Sequence, residues 1–135
     1  MANVQDIELT YTFIDVPLRE NFGECFDFSS AYYGDDPTMD VWEAQRNKHR
    51  ATLRWLQFKP GERVLDIGCG WGPMVRAVQT AGGRPVGITL STRQVASCHR
   101  NGLRDVHTLD WRALTPDTFG TFVATDPRSE DLTRL

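Results

Sequence analysis

The chain has 135 residues, with 15 Lys and Arg against 18 Asp and Glu for a net charge of −3, a length that holds one domain and excludes a multidomain enzyme. At 40% hydrophobic and 24% charged residues, it is too apolar for a disordered chain and too polar for a membrane-embedded one. The mild acidity gives no general electrostatic reason to bind nucleic acid or anionic lipid.

The start of the chain carries Asp6, Glu8 and Asp15 and lacks the basic opening and apolar run of a secretory signal. No apolar run approaches the roughly 18 residues of a transmembrane helix. Cys25, Cys69 and Cys98 are odd in number and widely spaced, fitting neither a disulfide framework nor a zinc site. Free thiols in a reducing, cytoplasmic setting are the expectation. Residues 1–40 mix aromatics with turn formers, as in Phe26-Asp27-Phe28-Ser29-Ser30-Ala31-Tyr32-Tyr33-Gly34-Asp35-Asp36-Pro37, and read as a short, loop-rich cover on the substrate side.

From residue 41 to 122 the pattern is that of a partial α/β domain. Asp40 stands at an N-cap with Glu43 three positions on, a capping-box variant opening a helix that Pro60-Gly61 ends, with Trp42, Ala44, Leu53 and Leu56 as its apolar stripe. Val64-Leu65-Asp66-Ile67 is a short buried strand. A glycine-rich turn follows, and Pro73 then sits where a first helical residue tolerates proline. Met74, Val75, Ala77, Val78 and Ala81 cover one face of that helix up to Gly82-Gly83. Val86 to Leu90 reads as a second strand, Ser91 to Asn101 as a helix closed by Gly102, and Val106 to Leu109 as a third strand. Strands alternating with helices imply a parallel sheet with helices on its faces.

The strongest signal is Asp66-Ile67-Gly68-Cys69-Gly70-Trp71-Gly72, directly after a strand and before a helix. Glycines there let the backbone turn sharply and approach a ligand, while the first free N–H groups of the helix favour a carboxylate or phosphate. A dinucleotide fingerprint needs a third glycine where Pro73 stands and a carboxylate on the following strand, yet no Asp or Glu occurs from Ile67 through Arg104. No Gly-Lys-Ser/Thr follows, which excludes a P-loop. An NADP enzyme using Arg93 survives as a weaker reading.

Val64-Leu65-Asp66-Ile67-Gly68-Cys69-Gly70-Trp71-Gly72 resembles the first motif of class I S-adenosylmethionine-dependent methyltransferases. Gly87-Ile88-Thr89-Leu90-Ser91-Thr92-Arg93-Gln94 is similar to the second-strand motif of the cyclopropane-fatty-acyl-phospholipid synthase and mycolic acid cyclopropane synthase group. Phe28-Ser29-Ser30-Ala31-Tyr32-Tyr33 resembles that group's Tyr-Ser-Cys-Ala-Tyr-Phe segment. Glu43-Ala44-Gln45, Leu56 and Lys59-Pro60-Gly61-Glu62-Arg63 also fall where the group has similar residues, so the resemblance runs over about residues 25–114.

The resemblance implies a Rossmann-like class I methyltransferase fold that binds S-adenosyl-L-methionine and alkylates an unsaturated lipid acyl chain or a small-molecule acceptor. It puts the methionine end of the cofactor over Gly68, Cys69, Gly70 and Gly72, with Asp66 facing the ammonium; a turn-capping carboxylate is the alternative for Asp66. Thr89, Leu90 and Gln94 would surround the nucleoside, although Ser91 to Gln94 is also a capping box in which Gln94 reaches back to the N-cap backbone. Asp110 would accept from the adenine amine and Trp111 cover the purine face, unless the indole plugs the helix-sheet interface. Phe28 and Ser29 would close over the cofactor, with Phe28 lacking the hydroxyl of the group's usual Tyr. His49, His99 and His107 show no ligand spacing and read as surface or helix-face residues, and no metal is implied.

The superfamily's full sheet runs in the order 3-2-1-4-5-7-6, of which this chain supplies the first three strands, with a fourth at Phe119 to Ala124 at most. Residues 123–135, rich in polar residues and containing Pro127, read as a tail outside the fold, as after a truncation or a shifted reading frame. The first strand would then present an unpaired or weakly covered edge prone to self-association, giving low stability. In the resembling group a bicarbonate held by later residues fills the base role, and no catalytic residue carries over here. Peripheral contact with lipid is compatible with these features. An inactive cofactor-binding fragment that works with a partner is the competing reading.

Overall fold

The computed structural model describes residues 3–23, 26–115, 117–118 and 123–124. The chain opens on a helix, α1 (Val4–Phe22), where the sequence reading expects irregular cover. Asn3 and Asp6 form a reciprocal capping box, with Asp6 N–H donating to Asn3 Oδ1 at 2.9 Å and Asn3 N–H to Asp6 Oδ2 at 3.2 Å. Ile7, Tyr11, Ile14 and Leu18 recur at helical spacing and are half-buried, while Pro17, which has no N–H for the turn before it, is exposed. Proline and the polar residues around it hide this periodicity. The segment from Phe26 to Asp40 is irregular, as expected.

Asp40 caps α2 (Val41–Trp55), its carboxylate accepting from Trp42 N–H at 2.9 Å and Glu43 N–H at 3.3 Å. The expected return half of the box does not form, because Glu43 pairs with Arg46 and Arg50 at 2.8 and 2.5 Å. The helix stops before the predicted Pro60-Gly61, at a turn in which Gln57 adopts φ +53°. Ala44 and Ala51 are its buried residues, whereas Trp42 is exposed.

Four parallel strands follow: β1 (Arg63–Ile67), β2 (Arg84–Thr89), β3 (Val106–Thr108) and β4 (Val123–Ala124), in the order β3-β2-β1-β4. The helices α3 (Pro73–Thr80) and α4 (Thr92–Arg100) are the crossovers, and the α/β reading with a partial Rossmann-like sheet holds. One expectation, a fold that ends at residue 122, is corrected by β4, which lies within the fourth strand allowed for at Phe119 to Ala124. Val123 and Ala124 pair with Val64 and Leu65, so the sheet extends past residue 122, and that edge of β1 is covered over those two residues.

Buried side chains lie on both faces of the sheet. Cys69, Val75, Cys98, Leu103 and Val106 pack on one, Leu65, Val86 and Ile88 on the other with Ile67, Leu109 and Leu114 beside them. A Cβ on Gly87 would come within 2.9 Å of Cys69 Sγ and Val75 Cγ2, so the glycine in β2 lets the loop and α3 settle onto the sheet. Glu8 ties α1 to the start of α4, accepting from Thr92 Oγ1 at 2.5 Å and Thr92 N–H at 3.2 Å, where a carboxylate suits the helix N-terminus.

Candidate functional site

The turn after β1 divides its glycines between two tasks. Gly68, Gly70 and Gly72 hold φ of +76°, +56° and +81°, in the left-handed region that only glycine enters without strain. A Cβ on Gly68 would meet nothing within 4 Å, and one on Gly70 only Gln94 Nε2 at 4.0 Å, so both face open space. A Cβ on Gly72 would lie 2.4 Å from Leu103 Cδ1 and 3.1 Å from Cys98 Sγ. Gly72, expected at the cofactor, is therefore a packing residue at the N-cap of α3.

The amides of the loop are also not all available. Gly68 and Cys69 both donate to Ile88 O, at 2.8 and 3.0 Å, and Gly72 donates to Cys69 O at 2.9 Å. Pro73 removes one more donor at the start of α3. Among the described residues the N–H groups of Gly70 and Trp71 have no protein acceptor, and Gly70, which faces open space where Trp71 is buried, is the loop amide better suited to a ligand carboxylate.

Above the loop lies a cavity of about 610 Å³, in the range of small-molecule sites. Seven of the expected site residues line it: Phe28, Ser29, Asp66, Gly68, Cys69, Gly70 and Gln94. The remaining five, Gly72, Thr89, Leu90, Asp110 and Trp111, do not. Thr89 acts from behind, donating its buried hydroxyl to Gln94 Oε1 at 2.6 Å. This overturns the capping-box alternative for Gln94: Ser91 N–H bonds Thr89 Oγ1 instead, and the Gln94 amide nitrogen is turned toward Gly70. Leu90 lines a separate shallow groove with Leu9 and Thr12 of α1. Asp110 caps a single 3-10 turn, Trp111–Ala113, and its ion pair with Arg112 holds its carboxyl at about 2. Trp111 is 58% exposed, so it does not plug the helix-sheet interface.

The wall opposite the loop comes from α1, α2 and the segment between them. Trp71 is buried, donates Nε1–H to Asp15 Oδ1 at 2.7 Å, and stacks tilted on Phe26 with ring centroids 4.4 Å apart. Asp15 is itself buried and accepts from Arg19 at 3.0 Å. Tyr11 also meets the indole, edge-on at 5.8 Å. These contacts lock α1 over the glycine loop.

A second carboxylate pins the segment bearing Phe28 and Ser29 to α2. Asp27 Oδ2 accepts from Lys48 Nζ at 2.6 Å and lies 2.7 Å from His49 Nε2, while Oδ1 accepts from Ser29 N–H at 3.0 Å and Ser29 Oγ at 2.7 Å. Burial alone would raise the Asp27 carboxyl, but the hydrogen bonds from His49, Lys48 and Ser29 outweigh it and hold the group well below the usual carboxylate range. Lys48 also donates to Ser29 Oγ at 2.7 Å and Gln45 Oε1 at 2.6 Å, and Gln45 Nε2 donates to Ser29 O at 2.8 Å. His49 is thus a cavity residue rather than a surface one. Sequence spacing carried this signal, since Lys48, His49, Thr52, Trp55 and Leu56 recur every three or four positions and all line the cavity. No group of three or more His, Cys, Asp or Glu fit to hold a metal occurs among the described residues.

The model of the mycolic acid cyclopropane synthetase family matches residues 2–123. The chain belongs to that family. Methoxy mycolic acid synthase MmaA3 of Mycobacterium tuberculosis is 38% identical over 100 residues, 73% of this chain and 34% of the relative. Cyclopropane mycolic acid synthase 2 of Mycobacterium leprae is 41% identical over 70 residues, 51% of this chain and 22% of the relative. This cyclopropane synthetase homologue therefore spans about a third or less of the length of these curated relatives. Among solved structures, the mycolic acid cyclopropane synthase CmaA1 complexed with SAH and CTAB superposes with a TM-score of 0.67 at 27% identity, covering 84% of this chain and 42% of that one. The [4+2]-cyclase SpnF shares the fold, with a TM-score of 0.72 at 24% identity over 84% of this chain and 44% of that one. The sheet order β3-β2-β1-β4 is the first part of the class I methyltransferase order.

Proposed function

We propose that this chain carries the cofactor-binding part of an S-adenosyl-L-methionine-dependent methyltransferase of the cyclopropane-fatty-acyl-phospholipid synthase type. The observation that carries the reading is the open space over Gly68 and Gly70 inside a cavity lined by Asp66, Gln94, Phe28 and Ser29. The methionine carboxylate binds at Gly70 N–H and the ammonium at Asp66, while the Gln94 amide, braced by Thr89, donates to the nucleoside. When bound, the sulfonium supplies an electrophilic methyl group, and the chain's contribution is to orient it and exclude water. Phe26, Phe28, Trp55 and Leu56 form an apolar wall suited to an acyl chain. The named lipid relatives support a methyl or methylene transfer to an unsaturated acyl chain or a related acceptor.

The same reading carries a cytoplasmic location with peripheral lipid contact. No helix among the described residues is long and apolar enough to cross a membrane. Asp110 and Trp111 contact adenine only if the loop after β3 moves toward the cavity. Self-association through the sheet edge beside β4 remains part of the proposal.

Isothermal calorimetry with S-adenosylhomocysteine and NADPH in parallel tests the reading. Heat with the first and none with the second is expected. Binding of NADPH alone transfers the site to the dinucleotide class and overturns it.

A further inference from the structure

We propose that the outer face of α2 docks on an anionic lipid surface. The inference rests on the acyl-acceptor reading and goes beyond it by naming the docking face and the headgroup charge that holds it. The net charge of −3 hides a segregation along the chain. Residues 41–104 carry 11 of the 15 Lys and Arg and only 3 of the 18 Asp and Glu, whereas residues 1–40 carry nine carboxylates and one arginine. No Asp or Glu occurs from Ile67 through Arg104, so neither α3 nor α4 contributes an acidic side chain.

The folded chain gathers part of this charge into one row. Trp42, Arg46, Arg50 and Arg54 recur every four positions on α2, are all exposed, and form a ridge about 18 Å long. Glu43 is the one carboxylate within α2 and pairs with both Arg46 and Arg50. These exposed pairs set one negative charge against three positive ones, so the ridge stays cationic. Asp40, at the far end, is turned into the helix N-terminus as its cap. Arg54 has no carboxylate partner among the described residues. On the adjoining α3, Arg76 is exposed and donates to the Asn101 carbonyl, a partner that leaves its charge uncompensated.

An indole at the head of a basic row fits a bilayer better than a nucleic acid or an acidic protein. Trp42 is 46% exposed and rests near Phe22, with ring centroids 6.2 Å apart. Such an aromatic pair settles between headgroups and chains while the arginines beside it reach phosphates. Function points the same way. The other side of α2 lines the cofactor cavity through His49, Thr52, Trp55 and Leu56, and Trp55 is also 69% exposed, so the cavity opens beside the helix that docks. An acyl chain held in the bilayer is thereby brought to the apolar wall. The overall negative charge opposes approach at long range, but within a Debye length of about 8 Å the local row decides.

Flotation of the purified chain with vesicles tests the assignment. Phosphatidylcholine vesicles containing phosphatidylglycerol bind the chain, pure phosphatidylcholine vesicles bind it roughly tenfold less or weaker, and raising salt from about 0.05 to about 0.5 M releases it. Arg46→Gln, Arg50→Gln and Arg54→Gln combined lower partition into the anionic vesicles by roughly tenfold or more, and Arg54→Gln alone, which breaks no ion pair, lowers it by about threefold. Arg84→Gln, Arg100→Gln and Arg104→Gln combined remove the same charge from exposed positions off α2 and change partition by less than about twofold. Equal losses in the two triple variants attribute binding to net charge. Equal binding to both vesicle types removes the anionic headgroup, and tighter binding to a short RNA duplex than to vesicles makes the row a nucleic-acid surface. Each of these results overturns the proposal. The α2 variant binds S-adenosylhomocysteine within about twofold of the parent. A parent chain that floats with anionic vesicles but does not bind S-adenosylhomocysteine therefore sinks the methyltransferase reading and not the docking face, and the reverse pattern sinks the docking face alone.

Discussion

Alanine at position 68 and alanine at position 72 separate the two tasks of the glycine loop. Both residues hold positive φ, +76° and +81°, so each substitution carries about 1–2 kcal/mol of backbone strain. Their surroundings then differ. The new methyl at 68 meets no atom within 4 Å, whereas the one at 72 is driven to 2.4 Å from Leu103 Cδ1 and 3.1 Å from Cys98 Sγ, side chains that are 2% and 0% exposed. Overpacking a core at such a point adds about 1–3 kcal/mol, for a total of about 2–5 kcal/mol in Gly72→Ala against about 1–2 in Gly68→Ala. Urea denaturation followed by tryptophan fluorescence, with Trp71 as a buried reporter, measures the difference. In calorimetry Gly68→Ala loses S-adenosylhomocysteine affinity by roughly tenfold or more, about 1.4 kcal/mol, because its methyl enters the cavity. Folded Gly72→Ala binds within about twofold of the parent. A Gly68→Ala chain that binds as the parent does, with a stability loss matching that of Gly72→Ala, refutes the division.

Three further outcomes follow from the geometry. Trp71→Phe removes the donor to the buried Asp15 carboxylate and costs about 1–3 kcal/mol; a cycle with Asp15→Ala gives a less than additive double variant, and strict additivity would show that the bond is not shared. Asp27 ionises more readily folded than unfolded, so its contribution is complete above about pH 4, where an unfolded Asp is charged, and is lost as pH falls through the lower folded value. The stability gap between the parent and Asp27→Asn therefore narrows on acidification from about pH 5 to pH 2, and a gap that widens reverses the assignment. Trp111→Ala, at a site 58% exposed, changes stability by less than about 0.5 kcal/mol but weakens S-adenosylhomocysteine binding if the indole covers adenine; unchanged binding removes Trp111 from the site.

How far the sequence could be read follows from the range of the interactions that build each part. The units from β1 through β3 are specified locally: Asp66 to Pro73 encodes strand, turn and helix start, and Ser91 caps α4 with its own hydroxyl. Their boundaries fell within one or two residues of the expected ones. The helix α1 was also encoded locally, in the Asn3–Asp6 box and the Ile7, Tyr11, Ile14, Leu18 stripe, but Pro17 masked it. Proline late in a helix is tolerated where its face is exposed and the rest of the helix is held by packing. The place of β4 beside β1 was legible only through the resemblance, which allowed a fourth strand at Phe119 to Ala124; the residues alone do not mark it, because two paired residues carry no periodicity and their strand exists only through the partner.

The site was legible on its loop side and not on its other wall, and the reason is charge placed far apart in sequence. Asp15 reaches Trp71 across 56 positions and Asp27 reaches His49 across 22. Read alone, each is one acidic residue in a polar segment. Folded, each is a largely buried acceptor whose donors sit on another element, and a desolvated carboxylate tolerates burial only when those donors are in place. Geometry therefore makes the two carboxylates conditional locks: α1 and the Phe28–Ser29 segment adopt their positions over Gly68 and Gly70 only when Trp71 on one side and Lys48 with His49 on the other are also positioned. The cavity is the consequence of both locks closing on a loop that by itself supplies only space.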